Sequence, residues 1–490
     1  MSKFNAKKQG AERVTSYEGA ELYAKNFEEE WVNFLFSCMM QDGFYESSEV
    51  QQERYVALTD QMIAKYGPEF AAKAAVYSRN ELGMRSISEL TAAIVNGHKF
   101  DTKRAFFRKF FRRPDDVAEV FGAIDAIGGK RSHALVRGAG DYISSLGEYQ
   151  LSKYKMKGKD YNLFDLINIT HAHSAAIDAY KRGELAPADT WENRISNAGS
   201  KEERDKNWID MVDNHNLGYL ALIRNLNNIL DAAPDYEWIK DRLCPQIVNR
   251  EAIKRSLVFP YQIYTAYKNL KCDNNYVKVA LEEAFVISVD NMPRLEGNTA
   301  IVLDVSGSMC SAISPRSNMS IKEVGAVYAT AIMIQNTNSD FIKFGDRGRL
   351  VDYNVKANGP FYIIDKMQHN DGLGYGTDIS SVFKDILPRT LKNYNRIFLI
   401  SDMQIMGSHS SYGWYYRGED PIKLVNRYLA HHPETHMYSY DLGNYHSQIV
   451  NPDSGKIMLL TSLNEKVLDM IALVEKGTSL IDIINDYSYI

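Results

Sequence analysis

The spacing of apolar residues changes character once along this chain, near residue 291, and that change limits what it can fold into. From about residue 17 to 290 apolar positions recur at intervals of three and four, the period of amphipathic helices. Phe27–Phe36, Tyr55–Tyr66, Pro68–Leu82, Asp115–Ile127 and Leu217–Leu230 are examples. Short Gly, Asp or Pro breaks separate these segments, and almost nothing there alternates with a period of two. Many short helices joined by brief turns predict an α-solenoid of stacked helical hairpins. After a linker-like stretch, Asn291-Met-Pro-Arg-Leu-Glu-Gly-Asn298, strands and helices take turns. Strands are expected at Ala300–Asp304, Asp340–Phe344, Arg396–Ser401 and Thr435–Tyr440. Helices are expected near Ile321–Gln335, Asp378–Leu387, Pro421–Ala430 and Asn464–Leu473. Such alternation predicts a doubly wound α/β domain, whose ligands bind at the carboxyl ends of its strands. The expected organisation is a disordered tail over 1–16, a helical domain over 17–290, a linker over 291–298 and an α/β domain over 299–490.

A chain of 490 residues with 45% hydrophobic and 24% charged residues has room for two or three ordinary globular cores. The net charge of −5 does not mark a general nucleic-acid binder. Acidic and basic residues are nearly balanced on both sides of residue 300, so any nucleic-acid surface has to be local. The four cysteines are scattered and form no CxxC pair, which argues against a zinc ribbon or a disulfide framework. The polar start MSKFNAKKQGAERV has no apolar core of a signal peptide, and no apolar run is long enough to span a bilayer. A cytoplasmic location and no membrane partner are expected.

The run Ile301-Val-Leu-Asp-Val-Ser-Gly-Ser-Met309 reads as a buried strand ending in Asp304-x-Ser306-x-Ser308. One carboxylate and two neutral hydroxyls leave positions at a hard divalent cation for water and an outside ligand. Two further segments belong at the same strand ends: Gly376-Thr377-Asp378 and Ile400-Ser401-Asp402. Together they resemble the metal-ion-dependent adhesion site of von Willebrand factor A domains. That resemblance implies Mg2+, or another divalent cation, held by Asp304, Ser306, Ser308, Thr377 and Asp402, with a place left for an acidic ligand. Phosphoryl transfer through Asp304 is not expected, because the second acid such enzymes carry two residues later is Ser306 here. Gly372-Leu-Gly-Tyr-Gly376 lacks the Lys of a phosphate loop, and no Gly-x-Ser-x-Gly elbow occurs. The chain is not expected to be an enzyme.

In Lys103-Arg-Ala-Phe-Phe-Arg-Lys-Phe-Phe-Arg-Arg113 a helix would line up Arg104, Arg108 and Arg112 opposite a phenylalanine face. This is either a phosphate-binding stripe or the solvated side of a packed helix. A second basic group comprises Lys130, Arg131 and Arg137, followed by Lys153-Tyr-Lys-Met-Lys-Gly-Lys159. His171 and His173 have no third ligand at a zinc spacing, and His431, His432 and His436 are expected to coordinate nothing.

Nearly the whole chain resembles the TROVE family, the Ro autoantigen-type RNA-binding proteins of vertebrates and some bacteria. The likeness rests on Arg79-Asn-Glu-Leu-Gly-Met-Arg-Ser-Ile-Ser88, Arg113-Pro-Asp-Asp-Val117, Tyr149-Gln-Leu-Ser-Lys-Tyr154, Asp165-Leu-Ile-Asn-Ile-Thr-His171 and the metal-site segments. The resemblance implies HEAT-like helical repeats curved into a ring closed by the A domain. It implies small non-coding Y-like RNA on a basic outer surface and single-stranded 3′ ends of misfolded RNA in the central hole. It also implies cooperation with a 3′-to-5′ exoribonuclease of the polynucleotide phosphorylase type. Carried over by motif, Lys153 and His171 fall at RNA-contacting positions, Lys157 falls where the family has an arginine, and Arg137 is a looser match. One extra residue between Lys153 and Asp165 leaves Lys155 and Lys159 as alternatives to Lys157. The aromatic segment Tyr412-Gly-Trp-Tyr-Tyr-Arg417 is expected either to join in ligand capture or to pack against a neighbour. Two rival readings are a Mg2+-dependent protein-interaction scaffold gripping an acidic partner and, more remotely, a nuclease.

Overall fold

Every residue of Thr299-Ala-Ile-Val-Leu-Asp304 is buried, and this segment is a central strand of the larger sheet. The computed structural model describes residues 13–16, 19–37, 47–154, 156, 158–313, 317–406, 419–442, 447–450, 457–460 and 467–490. Its strands are β1 (Arg13–Thr15), β2 (Glu21–Ala24), β3 (Thr299–Asp304), β4 (Ser339–Phe344), β5 (Gly348–Val351), β6 (Arg396–Ser401), β7 (His436–Asp441), β8 (Ser447–Gln448) and β9 (Ile457–Leu460). The larger sheet runs β5-β4-β3-β6-β7-β9. All its pairs are parallel except β4 with β5.

A parallel sheet has to be covered on both faces, which is why β3 and β6 read as continuous apolar runs. Val302, Ile342 and Leu399 share one core with Val382, Phe383, Leu424 and Val425 from the helical segments of that face. Leu303 and Ile400 point the other way, against the Ile321–Gln335 helix. Gly325 permits that approach, since a Cβ there would come within 2.6 Å of Leu303. The chain leaves β3 toward β4 on one side and returns to β6 on the other. The strand order therefore reverses between β3 and β6, and such a switch point opens a crevice at the carboxyl ends. Asp304 ends β3 and Asp402 follows β6 directly.

The chain divides into two compact units, each interrupted in sequence. The α/β unit takes the N-terminal segment as well as Met292–Glu465. There β1 and β2 form an antiparallel hairpin, and β2 pairs antiparallel with β8. A buried ion pair, Lys25 Nζ to Asp441 Oδ2 at 2.9 Å, fastens the same segment to the end of β7. Arg13–Thr15, expected in a disordered tail, is thus a strand; residues 1–12 of that tail lie outside the described residues. The last segment, expected in the α/β domain, belongs to the helical unit. Lys73 Nζ donates to the Asn485 carbonyl at 2.6 Å, Thr102 and Tyr489 hydroxyls meet at 2.8 Å, and Tyr487 packs edge-on against Tyr77.

The helical unit follows the periodicity closely. Pro68–Asn80, Ser86–Asn96, Pro114–Ala126 and His133–Ser144 are helices. The helix expected over Leu217–Leu230 is instead two, Tyr219–Arg224 and Leu226–Ala232. They part at Asn225, whose side chain donates to the Ala221 carbonyl at 2.9 Å in competition with the helical backbone. Two distant segments of the sequence meet in a buried ion pair, Arg79 to both oxygens of Asp116 at 2.8 Å. Arg85 adds bonds to Asp115, Asp116 and Glu89. Burial lifts the Glu89 carboxyl to about 7, against the pull of the Arg85 charge.

Candidate functional site

Three backbone hydrogen bonds gather the loops at the carboxyl end of the larger sheet. Gly307 N donates to Tyr375 O at 2.9 Å, Asp378 N to Gly345 O at 2.8 Å, and Met406 N to Thr377 O at 3.1 Å. They tie the Asp304–Ser308 turn, the 375–378 loop and the 402–406 segment together. Asp304 is fully buried. Its Oδ1 accepts from Ser306 N at 2.8 Å and its Oδ2 from Ser401 Oγ at 2.6 Å. The Ser306 and Ser308 hydroxyls lie 3.4 Å apart. Thr377 and Asp402 are also buried, at 3% and 1% exposure.

Burial, and then the neighbouring Asp402 carboxylate, push Asp304 up to about 7. Two acids pressed together out of water gain from a cation between them. The side-chain set, two carboxylates with three hydroxyls, is oxygen-only and suits a hard divalent ion. Both Asp304 oxygens are engaged, by Ser306 and Ser401, which fixes this carboxylate beside the Ser306 and Ser308 hydroxyls. Sequence reading passed over three contributors. Ser401 holds Asp304. Asp346 accepts from Gly376 N at 2.7 Å, fixing the threonine loop. Asp378, buried next to Thr377, is raised by burial and also by the Asp346 charge. By contrast Asp441, at the end of β7, is neutralised by Lys25.

The basic positions lie in the helical unit. The Lys103–Phe110, His133–Ser144 and Leu163–Thr170 helices pack in succession at two glycines. A Cβ on Gly138 would stand 2.8 Å from the Arg104 carbonyl oxygen and Phe107 Cβ, and one on Gly140 would stand 2.7 Å from Thr170 O. This close stacking carries Arg104 and Arg108, then Arg137, then His171 on neighbouring elements, all exposed, over buried Phe106, Phe107 and Phe110. His171 ends its helix in the left-handed conformation, φ 53°. Lys153 is exposed, its Nζ 5.8 Å from the Tyr149 ring and 5.6 Å from that of Tyr154.

The expected cations are not equivalent. Arg104 is held by both oxygens of Asp141 at 2.8 Å. Arg131 is bound to Asp125 at 2.8 Å and lies over the rings of Phe121 and Tyr161. Arg112 is not on the Arg104/Arg108 stripe: Phe111 turns extended ahead of Arg113-Pro114, so the helix stops before it. Arg108, Lys130, Arg137 and Lys153 make no ion pair among the described residues. Lys157, Lys155 and Tyr412–Arg417 lie outside the described residues. His173 donates its backbone N–H to Ser144 Oγ at 3.1 Å, His431 pairs with the Arg427 carbonyl at 2.7 Å, and His432 stacks on Tyr428.

Residues 158–275 match the family model of the TROVE domain. The structure is also similar to the crystal structure of the Deinococcus radiodurans RO (RSR) protein, with a TM-score of 0.64 at 15% sequence identity. That likeness covers 92% of this chain and 100% of the other. No curated protein matches the sequence. The fold is Ro-like, and the segment that matches the TROVE model contains His171 and begins just after Lys153. No helix among the described residues is long and apolar enough to cross a membrane.

Proposed function

We propose that this chain is a non-catalytic RNA-binding protein of the Ro type. In this reading the exposed cations of the helical unit hold a small, structured, Y-like RNA. Single-stranded 3′ ends of misfolded RNA enter a ring of HEAT-like repeats, in the service of RNA stabilisation and quality control. The observation that carries it is the TROVE match over residues 158–275, backed by a Ro-like fold along the chain. The side-chain chemistry agrees: folded RNA is held mainly through phosphates, by unpaired Arg and Lys rather than by base-reading groups. Lys153, Arg137, Arg108, Lys130 and His171 are the leading contacts, with Lys157 beside them. Arg104, Arg131 and Arg112 are secondary, the first two because a carboxylate already occupies each.

The α/β unit in this reading is a von Willebrand factor A domain, with Mg2+ bound by Ser306, Ser308, Thr377 and Asp402 and steadied by Asp304. Such a site can grip an acidic group of a protein partner. A 3′-to-5′ exoribonuclease reached through the RNA, in the cytoplasm, completes the proposal. Crosslinking in the host followed by sequencing of the bound RNA tests it. Recovery of one abundant small structured RNA is expected, and recovery of protein partners with no enriched RNA would leave only the scaffold reading. In parallel, Mg2+ should raise the melting temperature of the wild type and not of Asp304→Ala.

A further inference from the structure

We propose that the cleft between the Tyr219–Arg224 and Pro260–Lys268 helices is a binding site for one nucleoside monophosphate unit. Its volume is about 420 Å³. That lies in the range of small-ligand pockets, roughly 300–1,000 Å³, and is too small for a folded partner. Ile223, Leu226 and Ala266 give it apolar lining, and Tyr261 adds an aromatic wall. None of its lining residues is acidic, and its single formal charge is Arg224. That guanidinium is exposed and makes no ion pair among the described residues.

The amides around the cleft divide by what they already do. Asn227 donates to the Asn269 carbonyl at 2.8 Å and accepts from Lys271 N at 2.9 Å, so it closes one end and is spent. Gln262 uses its carbonyl oxygen to accept from Phe259 N at 3.0 Å, which leaves its amide nitrogen as the donor of that side chain. Arg224 and Gln262 thus bring two donors, a charged planar fork and an amide N–H, to a cleft with apolar and aromatic lining. A flat, acceptor-rich ring carrying an anion satisfies all three features at once. An aliphatic carboxylate would engage Arg224 and use neither the amide nor the ring wall. A cation would face Arg224 and no carboxylate. The phosphate therefore goes to Arg224 and the base to Gln262 and Tyr261.

The unit can be a free mononucleotide or one unpaired nucleotide of a bound RNA; the second source rests on the RNA reading above. Titration of AMP and UMP into the full chain by calorimetry, against adenosine and uridine, tests the site directly. The nucleotides should bind at least about tenfold more tightly than the nucleosides, as a charge-assisted bond requires. Arg224→Ala, a surface change, should remove that difference. Ala266→Trp should fill the cleft and abolish binding, with an unchanged melting temperature as its control. No binding of either nucleotide, or binding untouched by Arg224→Ala, overturns the proposal. A structured RNA with a single-stranded 3′ tail then separates the sources. Weaker binding of the tailed but not the blunt RNA by Ala266→Trp identifies the RNA nucleotide, and nucleotide binding with equal RNA binding identifies the free one. If the wild type binds no RNA at all, the RNA reading fails by itself, and the mononucleotide titration still decides whether the cleft takes a nucleotide.

Discussion

In the strand-end cleft the working side chains are buried and the backbone holds them; on the helical face the cations are exposed, and only the helices beneath them are fixed. Asp304, Ser306, Thr377 and Asp402 are set by strand ends and by loop-to-loop bonds such as Gly307 to Tyr375. Arg108 and Arg137 are exposed ends on helices that close approach at Gly138 and Gly140 packs together, and Lys153 lies beside the Tyr149 and Tyr154 rings. The first arrangement suits a small ion that demands fixed oxygens. The second suits a long polyanion, whose phosphates tolerate adjustable partners. One unit fixes the side chains themselves, the other only the helices one layer below them.

The largest effect is expected from a buried ion pair in that lower layer. Asp116 is fully buried against Arg79, and removing one partner of such a pair costs about 3–5 kcal/mol. Asp116→Ala should lower stability to urea by that order and take RNA binding with it. The Mg2+ response of the α/β unit should survive. Simultaneous loss of both responses would show that the two sites do not have separate supports.

Glu89 offers a milder test of the same frame. Its folded carboxyl is raised to about 7 from an ordinary value near 4.5, so the folded protein binds its proton more tightly than the unfolded chain does. Its contribution to stability is therefore full below about pH 4.5 and falls away as pH rises through 7. Glu89→Gln should remove that loss, gaining on the order of 2 kcal/mol on the wild type between pH 5 and pH 8. Urea melts at the two pH values read it, and a parallel fall in both proteins would contradict it.

The smallest effect separates neighbouring cations. Arg108→Ala should weaken RNA binding several-fold, while Arg104→Ala, already neutralised by Asp141, should change it less than about twofold. Equal losses would mean that Asp141 gives way to phosphate.

How far the sequence foretold this depends on whether a feature is local. The Asp304–Ser308 turn, the parallel strands and the phenylalanine face were legible because periodicity and strand-end chemistry are written over a few adjacent residues. The exchange of chain ends between units was not. β1 and β2 gain their meaning from β8, more than 400 residues away, and Tyr489 gains its meaning from Thr102. The neutralisation of Arg104 and Arg131 was hidden for the same reason, since Asp141 and Asp125 meet them only after folding. Arg112 lies beyond the end of the helix, and the Arg113-Pro114 step that ends it is legible in the sequence itself.

In the proposed function the exposed helical cations hold RNA through its phosphates. The dependence of affinity on salt measures it most directly, using a small structured RNA and the wild type beside Arg137→Glu/Lys153→Glu. If about six phosphates are neutralised, log affinity should fall against log salt with a slope near −4 to −5. The double variant should bind at least about tenfold more weakly, with a slope shallower by about 1.5. A flat slope in the wild type, or identical slopes and affinities in the two proteins, would contradict the account.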